Sequence, residues 1–115
     1  MPQATASALR IAVERKGHNA LVRCHGRLVA GVTNRLHAEI KPLIPDCKRI
    51  VLDFADLSHM DSSGIGTLVR LYVSAKSAGC SLELMNVGKP VRHVLGITHL
   101  LSVLQIIGEN NIKWF

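Results

Sequence analysis

The chain has 115 residues, enough for one hydrophobic core, and 48% of them are apolar, which excludes an intrinsically disordered segment. Its formal net charge is +6, but the basic residues are scattered from Arg10 to Lys113, with Arg15-Lys16 and Lys48-Arg49 as the only adjacent pairs. Four aromatic residues leave little on which bases could stack, so direct nucleic-acid binding is not expected, and the positive charge suits an acidic protein partner instead.

Cys24, Cys47 and Cys80 are odd in number, widely separated and without CxxC spacing, so neither a disulfide framework nor a zinc site is signalled. Isolated cysteines suit a reducing cytosol. The first residues lack the basic and apolar regions of a signal peptide, and no run of eighteen apolar residues exists to enter a membrane. The expectation is a cytoplasmic protein forming one domain over 1–115, with residues 1–7 frayed.

Taken in order, Leu9, Ile11 and Val13 alternate with Arg10, Ala12 and Glu14, the period of a half-buried strand. Lys16-Gly17-His18-Asn19 is a turn, and Ala20 to Cys24 completes a β-hairpin that Gly26 ends. A first helix is expected from Thr33 or Asn34, with Leu36, Ile40 and Leu43 or Ile44 inside and Pro42 kinking or ending it. Ile50-Val51-Leu52-Asp53-Phe54 is a buried strand, followed by a polar turn.

An amphipathic helix comes next, with Ile65, Leu68, Val69, Tyr72 and Val73 as its apolar stripe and Thr67, Arg70, Ser74 and Ser77 on the polar side. Gly79 stands where a left-handed C-cap is wanted. Leu82 and Leu84 mark another strand. Lys89-Pro90 opens a short helix that Gly96 caps, and Leu104 to Ile107 forms a last strand before the 110–115 tail. The order ββαβαβαβ implies an α/β fold: a mixed sheet, with an N-terminal hairpin plus parallel strands and helices on one face.

Asp61-Ser62-Ser63-Gly64 lies between a strand's carboxyl end and a helix start, where ligands and chemistry collect in open α/β sheets. One capping residue satisfies the helix N-terminus. Three polar residues in a row leave a serine over, and a phosphate there meets free N–H groups and the positive end of the helix dipole. It also adds close to two negative charges to whatever docks on it. Gly64-Ile65-Gly66 completes neither phosphate-binding glycine motif, because Val69 stands where a third glycine would fall. The GxSxG elbow is absent around Ser62 and Ser63, and none of the six histidines, His59 included, has metal-ligand spacing. No enzyme, cofactor or metal is expected.

Leu57-Ser58-His59-Met60 followed by Asp61-Ser62-Ser63-Gly64-Ile65-Gly66 resembles the signature of the STAS domain, and its nearest branch resembles the bacterial anti-sigma factor antagonists. The match runs from Ile50 through Gly66, and a weaker one covers nearly the whole chain. The resemblance implies that Ser62 is phosphorylated by an anti-sigma factor acting as a GHKL-type serine kinase, and that a PP2C-type phosphatase reverses it. It implies that the unphosphorylated form binds the anti-sigma factor and releases a sigma factor. It further implies that Asp61, Ser63, Gly64 and Thr67 belong to the docking surface, with Gly64 permitting close approach of the partner. The alternative is a STAS adaptor subunit of a signalling scaffold or an ABC-type lipid-transport complex. Where the family commonly reads G-E-L-D, this chain has Gly26-Arg27-Leu28-Val29.

Overall fold

A computed structural model describes residues 9–97 and 105–106. Strands β1 (Leu9–Lys16) and β2 (Asn19–Leu28) form the expected antiparallel hairpin, paired from Leu9↔Gly26 to Lys16↔Asn19. Its two-residue turn needs a left-handed residue, and Gly17 supplies one at φ +61°. Helix α1 (Thr33–Ile40) stops before Pro42, which sits in a single 3-10 turn over Lys41–Leu43. Strand β3 (Arg49–Met60), helix α2 (Ser62–Ser77), strand β4 (Ser81–Met85), helix α3 (Lys89–Ile97) and strand β5 (Gln105–Ile106) complete the described chain.

All five strands lie in one sheet in sequence order, and the pairs β2–β3, β3–β4 and β4–β5 are parallel. The mixed α/β architecture read from the sequence is therefore the one observed. Ala20, Val22 and Cys24, then Ile50, Leu52 and Phe54, then Leu82 and Leu84 all point to one face. Leu36 and Ile40 of α1, Leu68, Leu71 and Ala75 of α2, and Val91 and Leu95 of α3 close over them as the main core. The intervening positions Leu21, Val51 and Met85 form a small second cluster on the opposite face.

Several expectations are corrected. Gly26 does not end the second strand, and no polar turn follows Phe54, because β2 continues to Leu28 and β3 to Met60. The pairing slips after Arg23↔Asp53 and resumes at His25↔Asp56, so one strand carries an extra residue there. That bulge breaks the period of two, so Leu57 reaches the core out of phase with Phe54, and a second slip between Gly26↔Leu57 and Arg27↔His59 brings Met60 back into phase.

The buried face of α2 is Gly64, Thr67, Leu68, Leu71 and Ala75, about one residue round from the expected stripe. Val69 and Val73 are 38% and 56% exposed. Small residues let the helix backbone sit close to the sheet, which leaves the valines outside. Helix α3 also runs through Gly96 rather than stopping there.

Gly79, at φ +76°, terminates α2 as expected. Residues 1–7, Leu104, Ile107 and the 110–115 tail lie outside the described residues. Among the described residues no helix is long and apolar enough to cross a membrane.

Candidate functional site

The last residues of β2 and β3 and the first turn of α2 meet at one end of the sheet. Asp61 leaves β3 in extended conformation, and its main-chain N–H donates to the Leu28 carbonyl at 3.3 Å. Its carboxylate then makes three bonds. Oδ1 accepts from the main-chain N–H groups of Ser63 at 2.9 Å and Gly64 at 3.2 Å, which is N-cap geometry. Oδ2 accepts from the Ala30 N–H at 3.0 Å, in the connection between β2 and α1. These donors hold the carboxyl below its usual range, the Ala30 N–H most of all, with Gly64 and Ser63 adding to it against a desolvation effect of opposite sign. Asp61 is thus both cap and latch.

Capping falls to Asp61 alone, so Ser62 is left free. It is the first residue of α2, exposed, and its hydroxyl has no hydrogen-bond partner among the described residues. Ser63 is half-buried, with its N–H committed to Asp61.

Gly64 is buried against this chain's own β2. A Cβ there would lie 2.6 Å from the Leu28 carbonyl oxygen and 2.8 Å from Met60 Cγ. The glycine admits the helix to the sheet, not a partner to the helix, so its expected place on the docking surface is withdrawn. Thr67 is withdrawn as well: it is fully buried, and its Oγ1 accepts from Arg70 Nη2 at 3.3 Å.

Arg27 and His59 are opposite one another in the β2–β3 pairing, and both are exposed. Neither makes a hydrogen bond or ion pair among the described residues. Ser58 Oγ donates to the Gly26 carbonyl at 3.0 Å and ties the two strand ends together. No hydrogen bond joins His59 to either serine, so the nucleophile–base contact of a serine hydrolase is missing among the described residues.

From the Ser62 end, α2 presents half-buried Ile65 and Tyr72 beside exposed Val69 and Val73. Helical periodicity singled out these four residues as one apolar stripe; Ile65 and Tyr72 do pack against the core, whereas Val69 and Val73 are exposed. Sequence reasoning did not find the Ala30–Asp61 bond, which joins residues 31 positions apart. Nothing local in the sequence signals it.

A mixed sheet with helices on one face, and an exposed serine beside the capping aspartate at the β3–α2 junction, define the class of fold and site. The STAS domain model matches residues 10–111, and the chain belongs to the STAS domain family. Over 100 residues the chain is 27% identical to a protein of Paenibacillus polymyxa named anti-sigma F factor antagonist, covering 85% of this chain and 86% of that one. Its fold is similar to that of the anti-sigma factor antagonist SpoIIAA in its unphosphorylated form, with a TM-score of 0.77 at 22% identity over 89% of this chain and 90% of that one. It is likewise similar to the phosphorylated form of the Bacillus cell fate determinant SpoIIAA, with a TM-score of 0.72 at 21% identity, covering 89% and 93%.

Proposed function

We propose that this chain is an anti-sigma factor antagonist, a protein-binding module switched by phosphorylation of Ser62. The observation that carries the reading is the division of labour at the start of α2. Asp61 satisfies the helix N-terminus, which leaves the Ser62 hydroxyl exposed and unengaged among the described residues. A phosphate on that oxygen sits at the positive end of the helix dipole, so the helix tolerates it. The same phosphate brings nearly two negative charges into a surface of Ser62, Ser63, Val69 and Val73, and a partner docked there is repelled.

In this reading the unphosphorylated chain binds an anti-sigma factor of GHKL type in the cytoplasm and frees a sigma factor. The anti-sigma factor phosphorylates Ser62 with ATP, and a PP2C-type phosphatase resets it. The chain itself contributes a surface and a phosphoacceptor and performs no catalysis. Support comes from the similarity to a protein named as an antagonist and from the solution of a structural relative in both phosphorylated and unphosphorylated forms.

The test is incubation with a GHKL-type kinase encoded beside it and ATP, followed by intact-mass measurement and site mapping. One phosphate on Ser62, absent from Ser62→Ala, is expected. Absence of phosphate on Ser62 with every such kinase would sink the switch.

A further inference from the structure

Strand β1 stands at one end of the sheet order, so one of its long sides meets no described strand. Every residue from Arg10 to Lys16 except Ile11 is exposed, the apolar Val13 by 37%.

The hairpin turn tells which main-chain groups point outward. Gly17 and His18 join the pair Lys16↔Asn19, and a two-residue turn closes on a hydrogen-bonded pair. Bonded and non-bonded pairs alternate along an antiparallel ladder. Lys16, Glu14, Ala12 and Arg10 therefore bond to β2, while Arg15, Val13, Ile11 and Leu9 turn their N–H and C=O groups outward. The Arg35 guanidinium donates to the Leu9 carbonyl, as expected of a group turned away from β2.

Charges on an edge strand commonly keep other strands away. Those on β1 match a copy of itself. We propose that β1 pairs antiparallel with β1 of a second copy, with Ala12 opposite Ala12 on the two-fold axis.

Outward groups must meet outward groups, so the register moves only in steps of two residues. With Ala12 on the axis, Ile11 meets Val13 and Arg10 meets Glu14, each twice. One step away, Val13 is on the axis and Arg10 faces Lys16. One step the other way, Ile11 is on the axis and Arg10 faces Ala12.

Ile11 and Val13 lie on the helix side of the sheet, where Ile11 already packs against the core, so the Ile11–Val13 pairs extend it. On the other side, Glu14 holds Arg23 through Oε1, and Arg10 makes no hydrogen bond or ion pair among the described residues. Ser62 follows β3, two strands in from this edge, and the proposal is independent of the antagonist reading.

Sedimentation equilibrium of the full chain, from micromolar to millimolar, is expected to show monomer and dimer. Val13→Pro removes an outward N–H and no bond to β2, a position where an edge tolerates proline. It is expected to be monomeric with native far-UV circular dichroism. Ala12→Cys, its two copies about 4.5 Å apart at Cα, is expected to form a disulfide-linked dimer with copper phenanthroline. It should do so faster than Lys41→Cys, an exposed position off the strand. Arg10→Glu and Glu14→Arg should each weaken self-association about tenfold, and mixing the two should restore it, since every cross-strand pair is then opposite in charge.

A chain monomeric throughout that range overturns the proposal. So does a dimer that survives Val13→Pro, that Ala12→Cys links no faster than Lys41→Cys, or whose two charge variants fail to associate when mixed.

Discussion

At the level of single residues, the β3–α2 junction separates two tasks that one serine could not perform together. A capping hydroxyl must keep its oxygen on the helix N–H groups, whereas a phosphoacceptor must present it to solvent. Asp61 takes the first task, with bonds to Ser63, Gly64 and Ala30, and under the proposed function Ser62 is left for the second.

Asp61→Ala should therefore cost about 1–2 kcal/mol, measured by urea unfolding, since it removes the cap and the tie to Ala30. Because its folded-state pKa lies below the ordinary 3.8, the charged form of Asp61 stabilises the fold above the unfolded value. That stability is lost as pH falls through the folded value. Asp61→Asn keeps acceptors in place, and its stability should fall less steeply than the wild type's on acidification below about pH 4.

Gly64→Ala would gain helix propensity on an open surface, but here its methyl meets the Leu28 carbonyl at 2.6 Å. Overpacking wins, and a loss of about 1–3 kcal/mol is expected in the same measurement.

At the level of the element, α2 shows how periodicity finds an apolar stripe without saying which way it faces. Ile65, Leu68, Val69, Tyr72 and Val73 do form a stripe, but the sheet receives the side carrying Gly64, Thr67, Leu68, Leu71 and Ala75. Small residues decide the matter, because they allow the helix axis to approach the strands. Leu71→Ala should lose about 2–5 kcal/mol by leaving a cavity in the core. Val73→Ser, at an exposed position, should change stability by no more than about 0.5 kcal/mol.

If the antagonist reading holds, Val73→Ser weakens partner binding in calorimetry while the fold is untouched. Ser62→Asp should be at least as stable as wild type, a negative charge at a helix start being worth about 0.3–1 kcal/mol, yet bind the partner poorly. Strand β3 teaches a similar lesson. Its extra residues, one near Asp53–Asp56 and one between Leu57 and His59, interrupt the period of two, so alternation stopped signalling strand at Phe54 although the strand runs on.

At the level of the whole molecule, a single sheet carries the helices on one side, and the described cysteines are all buried and free. Burial, reinforced by the Asp53 carboxylate, pushes the Cys24 thiol up to about 12. Burial first, then Cys47 and Glu83, pushes Cys80 up to about 11. Thiolate is the reactive form, so an aromatic disulfide reagent at neutral pH should label neither Cys24 nor Cys80 in native protein and both in urea. Rapid labelling of Cys24 under native conditions would contradict the packing described for β2.

The sequence by itself determined the order of elements, the hairpin, the parallel crossovers and the location of Asp61-Ser62-Ser63-Gly64, because each depends on contacts or periodicities within a short stretch of chain. Only the tertiary structure decided that Asp61 holds the helix to the Ala30 turn, that Gly64 and Thr67 face inward, and that Val69 and Val73 face outward. Those outcomes depend on which residues from distant parts of the chain must share one narrow space between helix and sheet. No window along the sequence contains both sides of that contact.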